Sequence, residues 1–281
     1  MNILLDRIVS RLEKAKISSP RLEARLMLGK ACGISADEAV LLQRELSAEE
    51  ETLLEEMLEQ RLAHKPLDKI LGSKGFYKYD FTVNGNVLSP RPDTEIIVEE
   101  ALKLLDFDIT QNIADFGTGS GCILLSLLAE NKRWQGQGVD KSEAALKVAA
   151  ENAAALDVES QVSWINGSWF DEDFCQNLKT PLDMLVSNPP YIPSAEIAGL
   201  DAEVKDYDPL SALDGGADGY EHYRQIACLA PYLLKDGGHV VLEVGLRQAQ
   251  EVNNIFAEQG LCPVRIVPDL SGIDRCVILK K

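Results

Sequence analysis

Apolar positions in the first stretch of the chain recur every three or four residues. Leu5, Ile8, Val9 and Leu12 share one helical face, as do Leu53, Leu54, Met57, Leu58 and Leu62. Ser19 before Pro20 predicts a helix start and Gly33 a stop. Ser35 with Glu38 and Ser47 with Glu50 have capping-box spacing. A small helical bundle is predicted, ending before Pro66. The character changes at "GSKGFYKYDFTVNGNVL" (72–88), where aromatic and β-branched residues flank "NG" at 84–85, a hairpin-turn signal. Beyond it, strand candidates at 112–116, 136–140, 162–166, 183–188, 239–244, 263–267 and 275–279 are mostly separated by helical stretches such as 145–156 and 247–259. That alternation predicts an α/β domain, a doubly wound and mainly parallel sheet with helices on both faces.

Composition narrows the class. A 46% hydrophobic share over 281 residues is ample for a core. Asp6, Arg7 and Arg11 interrupt the first apolar stretch, so no signal sequence is expected, and no apolar run reaches membrane-span length. The six cysteines, at 32, 122, 175, 228, 262 and 276, form no CxxC pair, which favours free thiols in a reducing, cytoplasmic setting over a metal site. The net charge of −17 is uneven: residues 1–80 hold 13 Lys/Arg against 14 Asp/Glu, residues 81–281 hold 15 against 31. An acidic second half repels phosphate backbones and weighs against a nucleic-acid partner.

Two motifs carry chemistry. "ADFGTGSGC" (114–122) follows the first strand of the α/β part. Its glycines, Gly117, Gly119 and Gly121, allow a tight turn and bring a ligand against bare backbone. Asp140 ends the next strand, where a carboxylate can accept from ribose hydroxyls. The spacing is GxGxG rather than GxGxxG, so a nucleoside without phosphates, S-adenosylmethionine, fits better than a dinucleotide. "SNPPYI" (187–192) follows the fourth strand. Two adjacent prolines give up two backbone donors and stiffen the chain. Since ligands gather at the carboxyl ends of such strands, Asn188 is expected beside the glycine turn.

A planar NH2 group presents two donors, which the Asn188 side-chain oxygen and the Pro189 carbonyl can hold while Tyr191 packs over it. Two acceptors leave more electron density on an otherwise unreactive amide nitrogen, and fixing its angle aligns it with a methyl group. No strong general base is needed, in keeping with His64, His222 and His239 forming no acid–base cluster. A carboxylate would set lone pairs against lone pairs, and such sites reject the wrong group by roughly 10⁴-fold or more.

"DFGTGSG", "VD" at 139–140, "SWF" at 168–170, "VSNPPYI" at 186–192, "PRPDTE" at 90–95 and "YDPLSALDGGADG" at 207–219 together resemble the HemK/PrmC family of release factor glutamine methyltransferases. The resemblance runs essentially end to end. It implies a Rossmann-like class I S-adenosylmethionine-dependent methyltransferase domain over 89–281. A release-factor-docking helical bundle over 1–71 and a hairpin linker over 72–88 would precede it. It implies that Gly117, Thr118, Gly119, Ser120, Gly121, Asp140 and Trp169 hold the cofactor, with Trp169 beside the adenine. Asn188 would touch cofactor and substrate, and Asn188, Pro189, Pro190 and Tyr191 would hold the glutamine of the GGQ tripeptide in class 1 translation release factors. A cytoplasmic monomer requiring no metal is expected. Ser89, Ser168 and Asp208 depart from the family pattern.

The bland readings compete at single positions: "PRPDTE" simply starts a helix, Trp169 is core, and "DED" at 171–173 is a solvated loop. Glutamine methylation of a ribosomal protein and methylation of an adenine amine use the same Asn-Pro-Pro-Tyr loop. "PRPDTE" favours release factors over the first, and the acidic second half counts against the second. A scaffold that only clasps a partner is a further alternative, weakened by the pairing of a gripping loop with a cofactor loop.

Overall fold

The computed structural model describes residues 3–281. The chain divides into two compact units: one runs through Ser73 and includes Ala202–Tyr207, the other comprises Lys74–Asp201 and Asp208–Lys281.

The first unit is helical: α1 (Ile3–Lys14), α2 (Pro20–Cys32), α3 (Ala36–Leu41), α4 (Ala48–Leu62) and α5 (Leu67–Leu71), with the later α9 (Ala202–Lys205). The start and stop signals act as expected. Pro20 opens α2 and Gly33 ends it in the left-handed conformation, while Ser35–Glu38 and Ser47–Glu50 form complete capping boxes. Leu5, Ile8, Leu12, Met27, Leu28, Leu54, Met57 and Leu58 fill the core. Arg61 lies at its edge, buried, bonded to Glu23 at 2.6 Å and to Glu203 at 2.8 Å.

The second unit opens with a hairpin, β1 (Ser73–Phe76) and β2 (Tyr79–Thr82), then α6 (Glu95–Leu104). The hairpin turns at Tyr77–Lys78, with Tyr77 at φ 55°, and not at Asn84–Gly85. Asn84 instead closes a separate small turn through its side chain and carbonyl. Packing explains the difference. Phe76 and Phe81 sit edge to face, 6.0 Å apart, within the same core as α6, so the strands must end where both rings point inward.

The remaining elements are β3 (Asn112–Phe116), α7 (Cys122–Glu130), β4 (Gln135–Asp140), α8 (Glu143–Ala155), β5 (Val162–Asn166), β6 (Leu182–Ser187), α10 (Glu221–Leu233), β7 (Leu234–Glu243), α11 (Ala249–Glu258), β8 (Cys262–Pro268) and β9 (Asp274–Lys280). They build a seven-stranded sheet in the order β5-β4-β3-β6-β7-β9-β8. The first five strands are mutually parallel, and β9 runs antiparallel to both its neighbours. One core lies on each face of the sheet. Strand order reverses between β3 and β6, the place where a doubly wound sheet opens a crevice at its carboxyl edge.

Candidate active site

Both motifs leave the sheet at that reversal. The β3 turn is held by the Gly117 and Thr118 amides, each 2.9 Å from the Val139 carbonyl. Gly117, Gly119 and Gly121 have φ of +77°, +55° and +81°, in the left-handed region that favours glycine. Ser187 at the end of β6 donates to the Phe116 carbonyl at 2.5 Å, tying the glycine turn to the Asn-Pro-Pro-Tyr loop.

The cleft between them, of about 690 Å³ with its open mouth, is walled by Gly117, Gly119, Asp140, Trp169, Asn188 and Pro190, joined by Phe170 and His222. Thr118, Ser120, Gly121, Pro189 and Tyr191 stand behind this wall. Thr118 Oγ1 donates to Asp115 at 2.7 Å, and the Ser120 carbonyl accepts from Asn152. Gly121 caps α7 where a Cβ would come 2.7 Å from Leu125. Pro189 is buried, and Tyr191 turns its hydroxyl back to Glu243 at 3.3 Å.

Asp140 accepts from the Gly119 amide at 3.0 Å and the Ser142 amide at 2.9 Å. Burial raises its pKa against those two bonds. Deeper, burial pushes Asp115 up to about 7 in spite of the Thr118 bond. Trp169 is nearly buried, its ring stacked on Phe116 at 5.8 Å and met edge-on by His222 at 5.5 Å. Trp169 Nε1 and His222 Nδ1 are buried without a protein partner among the described residues. Ser168 lines the cleft and anchors its loop by accepting from the Phe170 amide.

Sequence reasoning found no chemistry for "PRPDTE", and the structure supplies a partner for each polar member. Arg91 pairs with Asp208 at 3.0 Å, and Asp93 lies 3.5 Å from Arg275. Thr94 Oγ1 is 2.5 Å from Glu243 Oε2 and 3.2 Å from Asn188 Nδ2. Glu95 accepts from the Tyr77 amide at 3.0 Å. Asp208, one of the departures from the family pattern, thus reaches Arg91, and the Ser89 amide approaches it at 3.4 Å. Glu243 was missed as well. It ends β7, and burial pushes it up to about 7, opposed by the Thr94 hydroxyl, Arg275 and Tyr191. The "DGGADG" run backs the loop: the Ile192 amide donates to the Leu213 carbonyl and Gly215 to that of Ile192, at 3.0 and 2.8 Å.

A glycine turn, a strand-end carboxylate and an amide-bearing rigid loop around one crevice define a methyltransferase. Residues 94–199 match the methyltransferase small domain family, and residues 4–72 the PrmC N-terminal domain. The fold is shared with a methyltransferase from Pyrococcus furiosus, at TM-score 0.53 and 15% identity over 74% of this chain and 91% of that one. The chain is 43% identical to the release factor glutamine methyltransferase of Rhodospirillum rubrum, over 99% of this chain and 84% of the relative. It is 44% identical to that of Caulobacter vibrioides, over 95% and 92%. The chain belongs to the release factor glutamine methyltransferase family. Among the described residues, no helix is long and apolar enough to cross a membrane.

Proposed function

We propose that the protein transfers a methyl group from S-adenosylmethionine to the side-chain amide nitrogen of the GGQ glutamine in class 1 translation release factors. The observation that carries this reading is the seating of Asn188 and Pro190 in one cleft wall with Gly117, Gly119 and Asp140. That seating joins a berth for a nucleoside to a grip for an amide.

The cleft residues suit the cofactor. Bare backbone at Gly117 and Gly119 admits close approach, and Asp140 has lone pairs left for ribose hydroxyls. Aromatic walls at Trp169 and Phe170 suit a flat heterocycle. When bound, S-adenosylmethionine supplies an electrophilic methyl on a sulfonium. The protein's part is to position. Asn188 Oδ1 and the Pro189 carbonyl accept the two amide hydrogens of the glutamine, and buried Pro189 and Pro190 keep those acceptors from moving. No side chain need remove a proton beforehand, because the methylated amide is acidic and sheds its extra proton to water afterwards. Burial pushes the Cys122 thiol up to about 12, so it is not poised as a nucleophile.

On this reading the helical unit docks the release factor, and the chain works as a monomer in the cytoplasm, without nucleic acid. The test offers labelled cofactor with release factor, ribosomal protein and nucleic acid in parallel. Label in the release factor, placed by mass spectrometry on the GGQ glutamine, is expected. Label confined to nucleic acid or to the ribosomal protein overturns the assignment.

A further inference from the structure

Thr94 occupies the N-cap of α6, where a threonine hydroxyl ordinarily accepts an amide N–H from the first turn. Here it makes no such bond. The side chain is buried, and its Oγ1 lies between Glu243 and Asn188. A hydroxyl has a single proton to donate. Burial pushes Glu243 up to about 7, so above that pH it is a carboxylate, accepting the Tyr191 hydroxyl at 3.3 Å on its other oxygen and facing the positive charge of Arg275. A carboxylate can only accept. The Thr94 proton therefore points to Glu243, and the lone pair left over faces Asn188. Only the NH2 end of the Asn188 amide can answer it.

We infer that Thr94 and Glu243 are positioning residues that fix which end of the Asn188 amide faces the substrate. The two ends of a carboxamide have nearly the same shape, so packing alone selects between them weakly. Polarity selects. With NH2 tied back to Thr94, Asn188 Oδ1 is turned the other way, as an acceptor. The wrong end would set donors against the donors of a glutamine NH2. This inference rests on the amide-methylation reading above and deepens it, by assigning the site's choice of amide over carboxylate to a chain of bonds running from Asn188 through Thr94 to Glu243. The same carboxylate holds the Tyr191 hydroxyl, and the Tyr223 hydroxyl anchors the Glu243 carbonyl at 2.9 Å.

Thr94→Val keeps the shape and removes the oxygen. At saturating cofactor its kcat for the release factor should fall about 30- to 100-fold, the scale of a misaimed reacting group. Cofactor affinity should stay near that of the parent, while the melting temperature should fall by roughly 3–10 °C for the lost buried bond to Glu243. Thr94→Ser, which restores the hydroxyl, should recover kcat to within about fivefold. A second readout separates orientation from packing. The same release factor carrying glutamate in place of the GGQ glutamine should inhibit Thr94→Val more strongly than the parent, because a freed amide can offer donors to a carboxylate. Should Thr94→Val not fold, Thr94→Ala is read by the same criteria. A folded variant without the oxygen that keeps its kcat and its discrimination overturns the inference, as does a folded Thr94→Ser no faster than Thr94→Val. A parent protein that leaves the release factor unlabelled overturns the amide-methylation reading instead.

Discussion

Asp140 shows how one residue can shape two things. Each of its carboxylate oxygens accepts a backbone amide, Gly119 for Oδ2 and Ser142 for Oδ1, so the same group orders the glycine turn and the start of α8. Asp140→Asn keeps the volume but has one acceptor oxygen and an NH2, which must face one of those amide donors. That lost bond lowers stability; the ribose hydroxyls would likewise lose a charged acceptor, worth about 1.5–3 kcal/mol, so cofactor affinity should weaken roughly 10- to 100-fold. Calorimetric titration of the variant with S-adenosylmethionine checks this, and an unchanged Kd would remove Asp140 from the binding account. At the same scale, Thr94 and Glu243 could not be read from the sequence. A threonine before a helix reads as a cap, and a glutamate in "HVVLEV" reads as an exposed alternate position on a strand. Their shared role exists only because α6, β6 and β7 bring 94, 188 and 243 together.

At the scale of elements, the gripping loop owes its rigidity to more than its prolines. Gly215 lies so close behind it that a Cβ would meet Tyr191 backbone atoms at 2.7 Å, and at Gly219 a Cβ would meet the Tyr191 carbonyl at 2.5 Å. Gln248 also donates to that carbonyl, at 3.0 Å. Backbone cannot yield as a flexible side chain can, so Gly215→Ala should push the loop outward. A displacement of about 1 Å at a reacting group costs on the order of 100-fold, which is the loss in kcat expected here, with cofactor affinity nearly unchanged. Single-turnover rates at saturating cofactor, beside a cofactor titration, decide it, and equal losses in both would place the effect elsewhere. Most of the strands were legible as short runs carrying β-branched or other apolar residues, bounded by turns or helices. The glycine turn and Asn-Pro-Pro-Tyr loop were legible because conformational demand restricts their residue types. The hairpin turn was not. Asn84–Gly85 has the stronger local signal, but burying Phe76 and Phe81 together dictates a turn at Tyr77, and that preference is tertiary.

Over the whole molecule, acidity and burial meet in a pH dependence of stability. Asp115 and Glu243 are buried and each pushed up to about 7, whereas an unfolded chain would ionise them near 4. Between those values the folded protein binds more protons than the unfolded one, so stability falls as pH rises. His222 and His239 act oppositely: burial lowers their pKa, so the folded state favours their neutral forms and gains as pH rises toward 6.5. At pH 6.5 the unfolded imidazoles are half neutral, so above it each histidine can return at most about 0.4 kcal/mol and the two acids dominate. From pH 6.5 to 8 each acid should remove about 0.8 kcal/mol, and with the histidines set against the pair the Tm should fall by about 2–6 °C for a unit of this size. The net charge of −17 acts in the same direction, since every further ionisation adds repulsion. Thermal unfolding of the ligand-free protein across that range provides the measurement. Asp115→Asn isolates one contributor and should lose at least half the slope. A parent Tm that is flat or rising from pH 6.5 to 8 would mean that Asp115 and Glu243 are already ionised in the fold. The carboxylates in the sheet's crevice would then be stabilised by something stronger than the bonds from Thr118, Thr94 and Tyr191.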